Sequence, residues 1–399
     1  MTRPLVIGVD ESGVSALPQH LLGRLAGMDL VVTAPRFRQA IPSGPEIIEW
    51  PSPFSNIYNI LKSNPKKSIA LLTTGDPMWH GAGASLVREL GPQGCEIIPA
   101  VSGLQLAAAR LGWPMAGCEI VTVHGRPHAG LVTKLYPRAR ILVIAQDGST
   151  PARLAEILCR CGYGAASLHV LAHLGGEGEQ RIDGVAEGWT EDIVPDFHIV
   201  GISCPDDVAA PAFLAAADAD FETDGKMTKR DVRASALAKL APFPGAVLWD
   251  IGTGSGAVSI DFLRSAAGGR AFAIDRDEVQ LARAVRNAEA HGVSGFEPVA
   301  GLAADGISDL PPPDAVFIGG GLSAGIIEAS QAALRPGGVL VAHAVTIESE
   351  SVLIAAWQQT GGDLTRLSIQ HADPVGGFHG WRPLMPVTQW CWRKRGQDI

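Results

Sequence analysis

Three glycines and an acid in the second half of the chain have the spacing of a nucleoside-binding turn. Residues 247–259 read VLWDIGTGSGAVS, in which an apolar run containing Asp250 leads into glycines at 252, 254 and 256 and then into a helical pattern. Glycine permits a positive φ and lets the backbone approach a ligand closely, and the N–H groups at a helix start favour polar or negative atoms. The stretch therefore predicts a strand, a tight turn and a helix around a nucleoside ligand, with an ordinary strand-turn-helix corner as the alternative.

The glycines alone do not choose the ligand. Gly252, Gly254 and Ala257 also satisfy the GxGxxG/A pattern of nicotinamide dinucleotide enzymes, and Asp275 at the end of the next apolar run would bind a ribose in either case. Asp250, directly before the turn, favours a different cofactor. The run DIGTGSG resembles the first motif of class I S-adenosylmethionine (SAM) methyltransferases, in which the matching acid supports the loop and the methionine end of SAM. A nicotinamide dehydrogenase stays the alternative for this half.

Length and composition limit the possible classes. A chain of 399 residues with 46% hydrophobic and 18% charged residues predicts a globular protein of two domains. The net charge of −9 gives no general basic field for nucleic acid or an anionic membrane. Six cysteines without a CxxC pair predict reduced thiols and no metal site. The N-terminal run has no signal-peptide core and no stretch is long enough to span a bilayer, so we expect a cytoplasmic protein.

The first half alternates apolar runs and helical patterns, which predicts an α/β domain with a largely parallel sheet. Its sharpest motif is GDPMWHG at 75–81. This turn resembles the GDP-x-x-x-G motif of the tetrapyrrole methyltransferases, the class III SAM enzymes of the cobalamin and sirohaem pathways. PAVSG at 99–103, VHGR at 123–126 and a late strand at 198–202 fit the same family in order, so the resemblance covers roughly residues 3–203. It implies SAM contacts at Gly75, Asp76, Pro77, Ala100 and Ser102.

One turn departs from that family. Members usually carry GxGPG after the first strand, and residues 8–13 here read GVDESG. No contact is therefore carried over to this turn. Near the presumed cleft, Arg126 is a candidate for binding a substrate carboxylate, because its planar fork can bind bidentately. His124 is interpreted as a structural residue more readily than as a catalyst.

The second half resembles the decarboxylating methyltransferases of corrin synthesis. The matching runs are MTKRDVRA, WDIGTGSGAVSID, AIDRD, PDAVFIGGG and RPGGVLVAHAVTIES. Seven strand-like runs, the last two without a long helix between them, suit the antiparallel closure of a class I sheet. The resemblance implies that Gly319, Gly320 and Gly321 line the transfer site. It implies SAM contacts at Thr228, Asp250, Gly252, Thr253, Gly254, Ser255, Gly256, Asp275 and Ala303.

Basic residues gather before the helical pattern that ends at Leu240. Thr228 is predicted as its N-cap, with Asp231 at the third helical position. Helix electrostatics favour acids at such a place, so the cations Lys229, Arg230 and Arg233 indicate a site for a polyanionic substrate, or else a solvated basic face. A late loop, QHADPVGGFHGWRP, offers weaker candidates, and its other interpretation is a surface hairpin. They are His371, His379, Trp381 and Arg382.

Together the two resemblances imply an α/β protein with a class III fold of two subdomains and a cleft at 1–205. A linker follows at 206–223, and a Rossmann-like class I domain with a seven-stranded sheet occupies 224–399. They imply two SAM sites, methylation of a reduced precorrin at C5 by the first domain, and methylation at C15 with decarboxylation of the C12 acetate by the second. We also expect a homo-oligomer that binds no nucleic acid, membrane or metal.

Two further alternatives remain. A nucleic-acid methyltransferase is disfavoured by the acidic charge and by IGGG at 318–321, where enzymes that methylate base amines commonly carry N/D-P-P-Y. A sensor that binds SAM or a tetrapyrrole without turnover is disfavoured by intact motifs in both halves.

Overall fold

A computed structural model describes residues 2–208, 215–301, 307 and 309–395. The chain divides into two compact units. The first comprises Met1–His128 and Lys134–Val208, and the second comprises Ala209–Ile399 with the short segment Ala129–Thr133. No helix in the described ranges is both long and apolar enough to cross a membrane.

The first unit begins with a parallel sheet whose strand order is β3-β2-β4-β1-β5. Its strands are β1 (Leu5–Val9), β2 (Leu30–Thr33), β3 (Glu46–Glu49), β4 (Ile69–Thr74) and β5 (Glu96–Ile98). The helices of this part are α1 (Gln19–Ala26), α2 (Asn56–Ser63) and α3 (Ala82–Leu90). The runs LVIGV and IALLTT are almost wholly buried because helices cover both faces of the sheet.

A second, mixed sheet completes the first unit, with the order β6-β7-β10-β8-β9. Its strands are β6 (Glu119–Thr122), β7 (Arg140–Ile144), β8 (Ser167–Ala172), β9 (Gln180–Val185) and β10 (His198–Ser203). Helices α4 (Gly103–Leu111) and α5 (Thr150–Arg160) belong to this part. The expected pair of α/β subdomains is therefore confirmed.

The second unit is built on a seven-stranded sheet with the order β13-β12-β11-β14-β15-β19-β16. The strands of this unit are β11 (Val247–Ile251), β12 (Arg270–Asp275), β13 (Phe296–Ala300), β14 (Ala315–Ile318), β15 (Val339–Ala344), β16 (Asp363–Leu367), β17 (Gln370–Val375), β18 (Phe378–Pro383) and β19 (Val387–Arg393). Its helices are α6 (Arg230–Leu240), α7 (Ala257–Ser265), α8 (Glu278–Ala290), α9 (Ala324–Ala333) and α10 (Ile347–Thr360).

Strand β19 runs antiparallel to both β15 and β16, which confirms the predicted closure of a class I sheet. Strands β17 and β18 form a separate two-stranded hairpin. The strand order reverses between β11 and β14, and ligands of open α/β sheets bind at the carboxyl ends of the strands at such a point. The glycine turn that follows β11 lies at this place.

Short 3₁₀ helices connect several elements. They span Gly13–Ala16, Pro35–Ala40, Met115–Gly117, His128–Lys134, Ala186–Gly188 and Asp218–Asp220. The last lies in the predicted linker, 206–223, of which residues 209–214 are outside the described residues. Ala215, Ala216 and Phe221 are buried in the cores of the second unit, so this end of the segment packs on that unit.

The start of α6 differs from the prediction. The helix begins at Arg230 with Lys229 as its N-cap residue, and no side-chain cap bond forms among the described residues there. Thr228 is not the cap, because it precedes the cap position and its carbonyl accepts a hydrogen bond from the Arg233 guanidinium at 2.7 Å.

Candidate functional site

In the first unit, the segments that follow β4 and β5 pack against Gly8, which lies near the carboxyl end of β1. A Cβ on Gly8 would lie 2.5 Å from the Gly75 carbonyl oxygen, 2.7 Å from Ala100 Cβ and 2.9 Å from Pro77 Cδ. Contacts that short are not possible for a side chain, so glycine is required here. The turn after β1 departs from the family pattern, yet its first glycine still allows the GDP turn and the PAVSG segment to touch.

A cavity of about 470 Å³ opens beside this junction. Of the five residues predicted to contact SAM here, Gly75, Asp76 and Ser102 line it. Pro77 and Ala100 form the packed junction described above. The Ser102 hydroxyl caps the N-terminus of α4, where it accepts a hydrogen bond from the backbone amide of Gln105 at 3.3 Å. Ser102 thus orients the helix that borders the cavity.

The lining of this first cavity suits a ligand with an apolar end and a cationic end. One wall is apolar, formed by Leu104, Leu106, Leu171, Leu174 and Ile199. The polar lining includes four acids, Asp10, Glu11, Asp76 and Asp196. An adenine ring suits the former, and the ammonium and sulfonium groups of SAM suit the latter.

His198 also lines the first cavity, and nothing in the sequence distinguished it from other strand residues. Its Nδ1 lies 2.6 Å from the Pro195 carbonyl oxygen, which makes Nδ1 the donor. Burial lowers the pKa of the imidazole, so the ring is neutral. Its Nε2 has no partner among the described residues and is available as an acceptor.

A second cavity of about 770 Å³ adjoins the first. The two share Asp76, Trp79, His80, Gly81, His124 and Ile144 as lining residues. Arg126, predicted to bind a carboxylate, lines the second cavity together with Arg88 of α3. Arg88 gave no sequence signal, because one arginine on an amphipathic helix is ordinary.

In the second unit, the turn after β11 meets the turn after β14. A Cβ on Gly252 would lie 2.6 Å from the backbone of Gly320, and Gly252 has a φ of 73°. The Gly319 amide donates to the Ile251 carbonyl at 2.9 Å. Gly254 has a φ of 54°, and no described atom lies within 4 Å of its Cβ position. The backbone at Gly254 therefore faces open space where a ligand can approach.

Asp250 is fully buried beneath this turn. Its Oδ2 accepts hydrogen bonds from the Thr253 hydroxyl at 2.7 Å, the Ser259 hydroxyl at 2.6 Å and the Ser259 amide at 3.2 Å. Its Oδ1 has no partner in the described part of the chain. Burial raises the pKa of this carboxyl to about 6. An unpaired buried carboxylate oxygen fits the expectation that a cationic group of SAM binds nearby.

The remaining predicted contacts shape the same turn. Asp275 Oδ2 accepts from the Gly254 amide at 2.9 Å, which ties the turn to the end of β12, where a ribose would be bound. Thr253 is engaged with Asp250, and the Ser255 carbonyl accepts from Asn287 Nδ2 at 2.8 Å. Gly256 has a φ of 78°. Ala303 lies outside the described residues.

The three predicted cations differ in environment, and Arg233 requires a correction. Its guanidinium is fully buried and donates to Asp261, Asp218, the Thr228 carbonyl and the Ala216 carbonyl. Its donors are committed within the protein, so Arg233 does not bind a substrate carboxylate. Instead it fixes the segment that carries Thr228 and its two neighbours.

Lys229 and Arg230 stay candidates for a substrate anion. Lys229 is half-buried and Arg230 is exposed, with Arg230 Nε donating to the Ala215 carbonyl at 3.0 Å. The weaker candidates of the late loop lie on the β17–β18 hairpin, as the surface interpretation predicts. There Trp381 is 73% exposed, and Arg382 Nε lies 3.2 Å from an oxygen of Asp373. The described residues contain no cluster of three or more His, Cys, Asp or Glu side chains suited to a metal.

Replacing Arg233 tests its structural role. In Arg233→Met, Asp218 and Asp261 lose the buried guanidinium, and Asp261 keeps the cation of Arg264, at 3.2 Å from its other oxygen. We expect the free energy of unfolding of the second unit to fall by about 3–5 kcal/mol. Urea unfolding followed by tryptophan fluorescence measures it. The exposed Arg230→Met is the control and is expected to change it by about 0.5 kcal/mol at most. Equal effects of the two variants would contradict the role assigned to Arg233.

Asp250 gives the second unit a pH-dependent stability. The pKa of its carboxyl is about 6 in the folded chain against 3.8 ordinarily. The stability that the folded chain gains by holding this proton is therefore fully present below pH 3.8 and is lost as the pH rises through 6. Asn does not titrate. Between pH 4 and pH 7 the stability of Asp250→Asn relative to the unaltered chain is therefore expected to rise by roughly 3 kcal/mol. Urea unfolding at stepped pH, without SAM, measures it, and parallel pH profiles would refute it.

Comparison with known proteins assigns each half of the chain to a family. Residues 56–188 match the tetrapyrrole (corrin/porphyrin) methylases, and residues 219–394 match the precorrin methyltransferase domain. The C-terminal domain of precorrin-6Y C5,15-methyltransferase from Rhodobacter capsulatus, a crystal structure, is 39% identical over 46% of this chain and 100% of its own, with a TM-score of 0.44.

Two relatives match over almost their full length. Precorrin-6Y C(5,15)-methyltransferase (decarboxylating) of a Sinorhizobium species is 39% identical over 98% of this chain and 96% of its own. The protein of the same name from Mycobacterium tuberculosis (strain CDC 1551 / Oshkosh) is 37% identical over 98% of this chain and 100% of its own. With identity at this level across both units, the chain belongs to the family of the decarboxylating precorrin-6Y C(5,15)-methyltransferases.

Proposed function

We propose that this chain methylates precorrin-6 in its reduced form at C5 and C15, with SAM as the methyl donor, and decarboxylates the C12 acetate to give precorrin-8. The observation that carries the proposal is the identity of 39% over 98% of the chain with a relative of that name. The geometry supports it, because each unit has a glycine-built turn at the carboxyl ends of parallel strands.

Each unit has a site that suits SAM, which supplies a methyl group already activated by its sulfonium. In the first unit the apolar wall and the acids of the first cavity match its two ends. In the second unit, the backbone at Gly254 has space beside it for SAM, and the carboxylates of Asp250 and Asp275 suit its cationic end and its ribose. Catalysis then asks mainly for positioning, which can be worth roughly 7–11 kcal/mol.

The second cavity suits a flat, polycarboxylate substrate next to that site. Met78 and Trp79 border it with 47% and 42% of their surface exposed, which provides an apolar face for a macrocycle. Arg88 and Arg126 border it as well and are suited to carboxylates. We assign C5 methylation to this unit.

We assign methylation at C15 and decarboxylation at C12 to the second unit. Gly319 and Gly320 pack against Phe317 and Gly252, whereas no described atom lies within 4 Å of the Cβ position of Gly321, which leaves room for a substrate beside the SAM turn. Lys229 and Arg230 are candidates for its carboxylates. The conjugated ring can accept the electron pair of the broken carbon–carbon bond as carbon dioxide leaves, and the former acetate carbon then gains a proton to become a methyl group. The role of the protein is to hold the acetate out of the ring plane rather than to bond to it.

The remaining expectations are part of the proposal. We propose domains at 1–205 and 224–399 with a connecting segment at 206–223, a cytoplasmic location, and a homo-oligomer. The apolar side chains exposed on the β17–β18 hairpin, Phe378 at 82% and Trp381 at 73%, support assembly.

Two cofactor sites predict a binding stoichiometry. The unaltered chain is expected to bind two S-adenosylhomocysteine molecules in isothermal titration calorimetry. Asp275→Ala loses the ribose partner of the second unit, and Gly8→Leu places a side chain where backbone atoms lie 2.5 Å away, so each variant is expected to bind one. NAD binding that displaces S-adenosylhomocysteine from the second unit would favour the dehydrogenase alternative.

Product analysis tests the reaction itself. Incubation of the full chain with reduced precorrin-6 and SAM is expected to add two methyl groups and release carbon dioxide, as read by mass spectrometry. Asp275→Ala is expected to add one methyl group and to retain the carboxylate, because only the first unit then binds SAM. Unchanged substrate in the presence of bound SAM would reject the enzyme and favour a sensor.

A further inference from the structure

His80 lies in the wall that the two cavities of the first unit share. It belongs to the same turn as Gly75 and Asp76, which border the first cavity, and it is followed by Gly81. Its side chain thus borders the space proposed for the methyl donor and the space proposed for the macrocycle. With the methyl donor and the macrocycle placed as proposed above, a group at that boundary lies near the carbon that receives the methyl group.

The backbone of His80 has a left-handed conformation. Its φ of 56° lies in a region that most residues other than glycine avoid, and histidine, asparagine and aspartate adopt it more often than the others. Packing of the turn maintains it, because a Cβ on Gly81 would lie 2.7 Å from the carbonyl oxygens of both Asp76 and Pro77. The turn therefore fixes where the His80 backbone and Cβ lie, at the wall that the two cavities share.

The surroundings of the imidazole favour its neutral form. His80 as a whole residue is exposed, yet partial desolvation of its ring and the nearby Arg126 cation lower the pKa of His80 below its ordinary value of 6.5, so the neutral ring is favoured at neutral pH. No hydrogen bond from the described residues occupies either ring nitrogen. The other titratable groups bordering the two cavities are Asp10, Glu11, Asp76, Arg88, His124, Arg126, Asp196 and His198.

Methylation of a meso carbon that bears hydrogen needs a proton acceptor. The carbon contributes an electron pair to the new bond with the methyl group, the bond between sulfur and methyl breaks, and its electrons return to sulfur. The ring system then carries one additional positive charge, and C5 bears both a hydrogen and a methyl group. Loss of the C5 proton returns the electron pair of that bond to the conjugated system and restores neutrality.

We propose that His80 is the general base that accepts the C5 proton after methyl transfer and passes it to solvent through the open cavity. The inference rests on the proposed function of the first unit. His124 also borders both cavities, but it lies outside the turn that carries the SAM-facing residues. His80 belongs to that turn, whose Gly75 and Asp76 border the cavity proposed for the methyl donor.

The test uses the full chain carrying Asp275→Ala, so that one methylation is observed. His80→Asn and His80→Gly remove the base and are compatible with a positive φ. We expect the rate of methyl addition, followed by mass spectrometry with saturating SAM, to fall by about 100-fold or more in both. S-adenosylhomocysteine binding by calorimetry is expected to stay unchanged, which shows that the turn is intact.

Two further readouts separate a base from a residue that acts only through its shape. In the chain that carries only Asp275→Ala, the rate of methyl addition is expected to fall as the pH drops below the ordinary histidine range. This acidic limb of the pH profile is expected to disappear in both His80 variants. Added imidazole is expected to restore part of the rate in His80→Gly. The control His20→Gln, on the exposed face of α1, is expected to keep the native rate and pH profile.

The outcomes are distinguishable. Native rates in the His80 variants, or a reduced rate that keeps the acidic limb and does not respond to imidazole, would overturn the inference alone. So would loss of the limb in His124→Asn with His80→Asn unaffected. A chain that binds S-adenosylhomocysteine but methylates nothing would overturn the proposed function and this inference with it.

Discussion

Contact between backbone segments, with no side chain between them, is the constraint on which both sites depend. In the first unit Gly8, near the end of β1, lets the segments after β4 and β5 pack against that strand, and in the second unit Gly252 lets the turns after β11 and β14 come together. Hypothetical Cβ atoms at these positions would lie 2.5 and 2.6 Å from neighbouring backbone atoms. Parallel sheets place their functional turns at one edge, and these glycines let those turns come close enough to surround one small molecule.

Buried charge holds the second of these arrangements in place. Asp250 links the glycine turn to the start of α7 through Ser259, and Arg233 links α6 to α7 through Asp261. Arg233 also donates to the Thr228 carbonyl, so the loop that carries Lys229 is linked to Asp261 of α7 by a cation with no exposure of its own. Such groups are costly to bury. The several partners of Arg233 offset that cost, whereas the raised pKa of Asp250 indicates that its hydrogen bonds offset only part of it.

Much of the fold could be predicted from the sequence, because its signals are local. The apolar run before DIGTGSG, the GDP turn and the final pair of strands each follow from residues close in the chain. Arg233 could not be predicted. It stands beside Lys229 and Arg230 in the sequence, and its burial depends on Asp218 and Asp261, 15 and 28 residues away.

The candidate site shows the same limit. Arg88 and His198 give no pattern of their own, because a helix and a distant strand bring them to the cavities by tertiary packing alone. The cap at the start of α6 was missed for a related reason. Thr228 has the side chain of a good cap, but its carbonyl accepts a hydrogen bond from the buried Arg233 and the helix begins one residue later.

The place of β19 in its sheet has a consequence for how the second unit is made. This strand comes last among the described strands, yet it lies inside the sheet, paired with β15 on one side and β16 on the other. Trp390, at its centre, is fully buried. During synthesis on the ribosome, β15 and β16 therefore have no partner between them until β19 emerges. A chain released early would present two unpaired sheet edges and a vacant indole site, features by which a quality-control protease or chaperone distinguishes unfinished chains from finished ones.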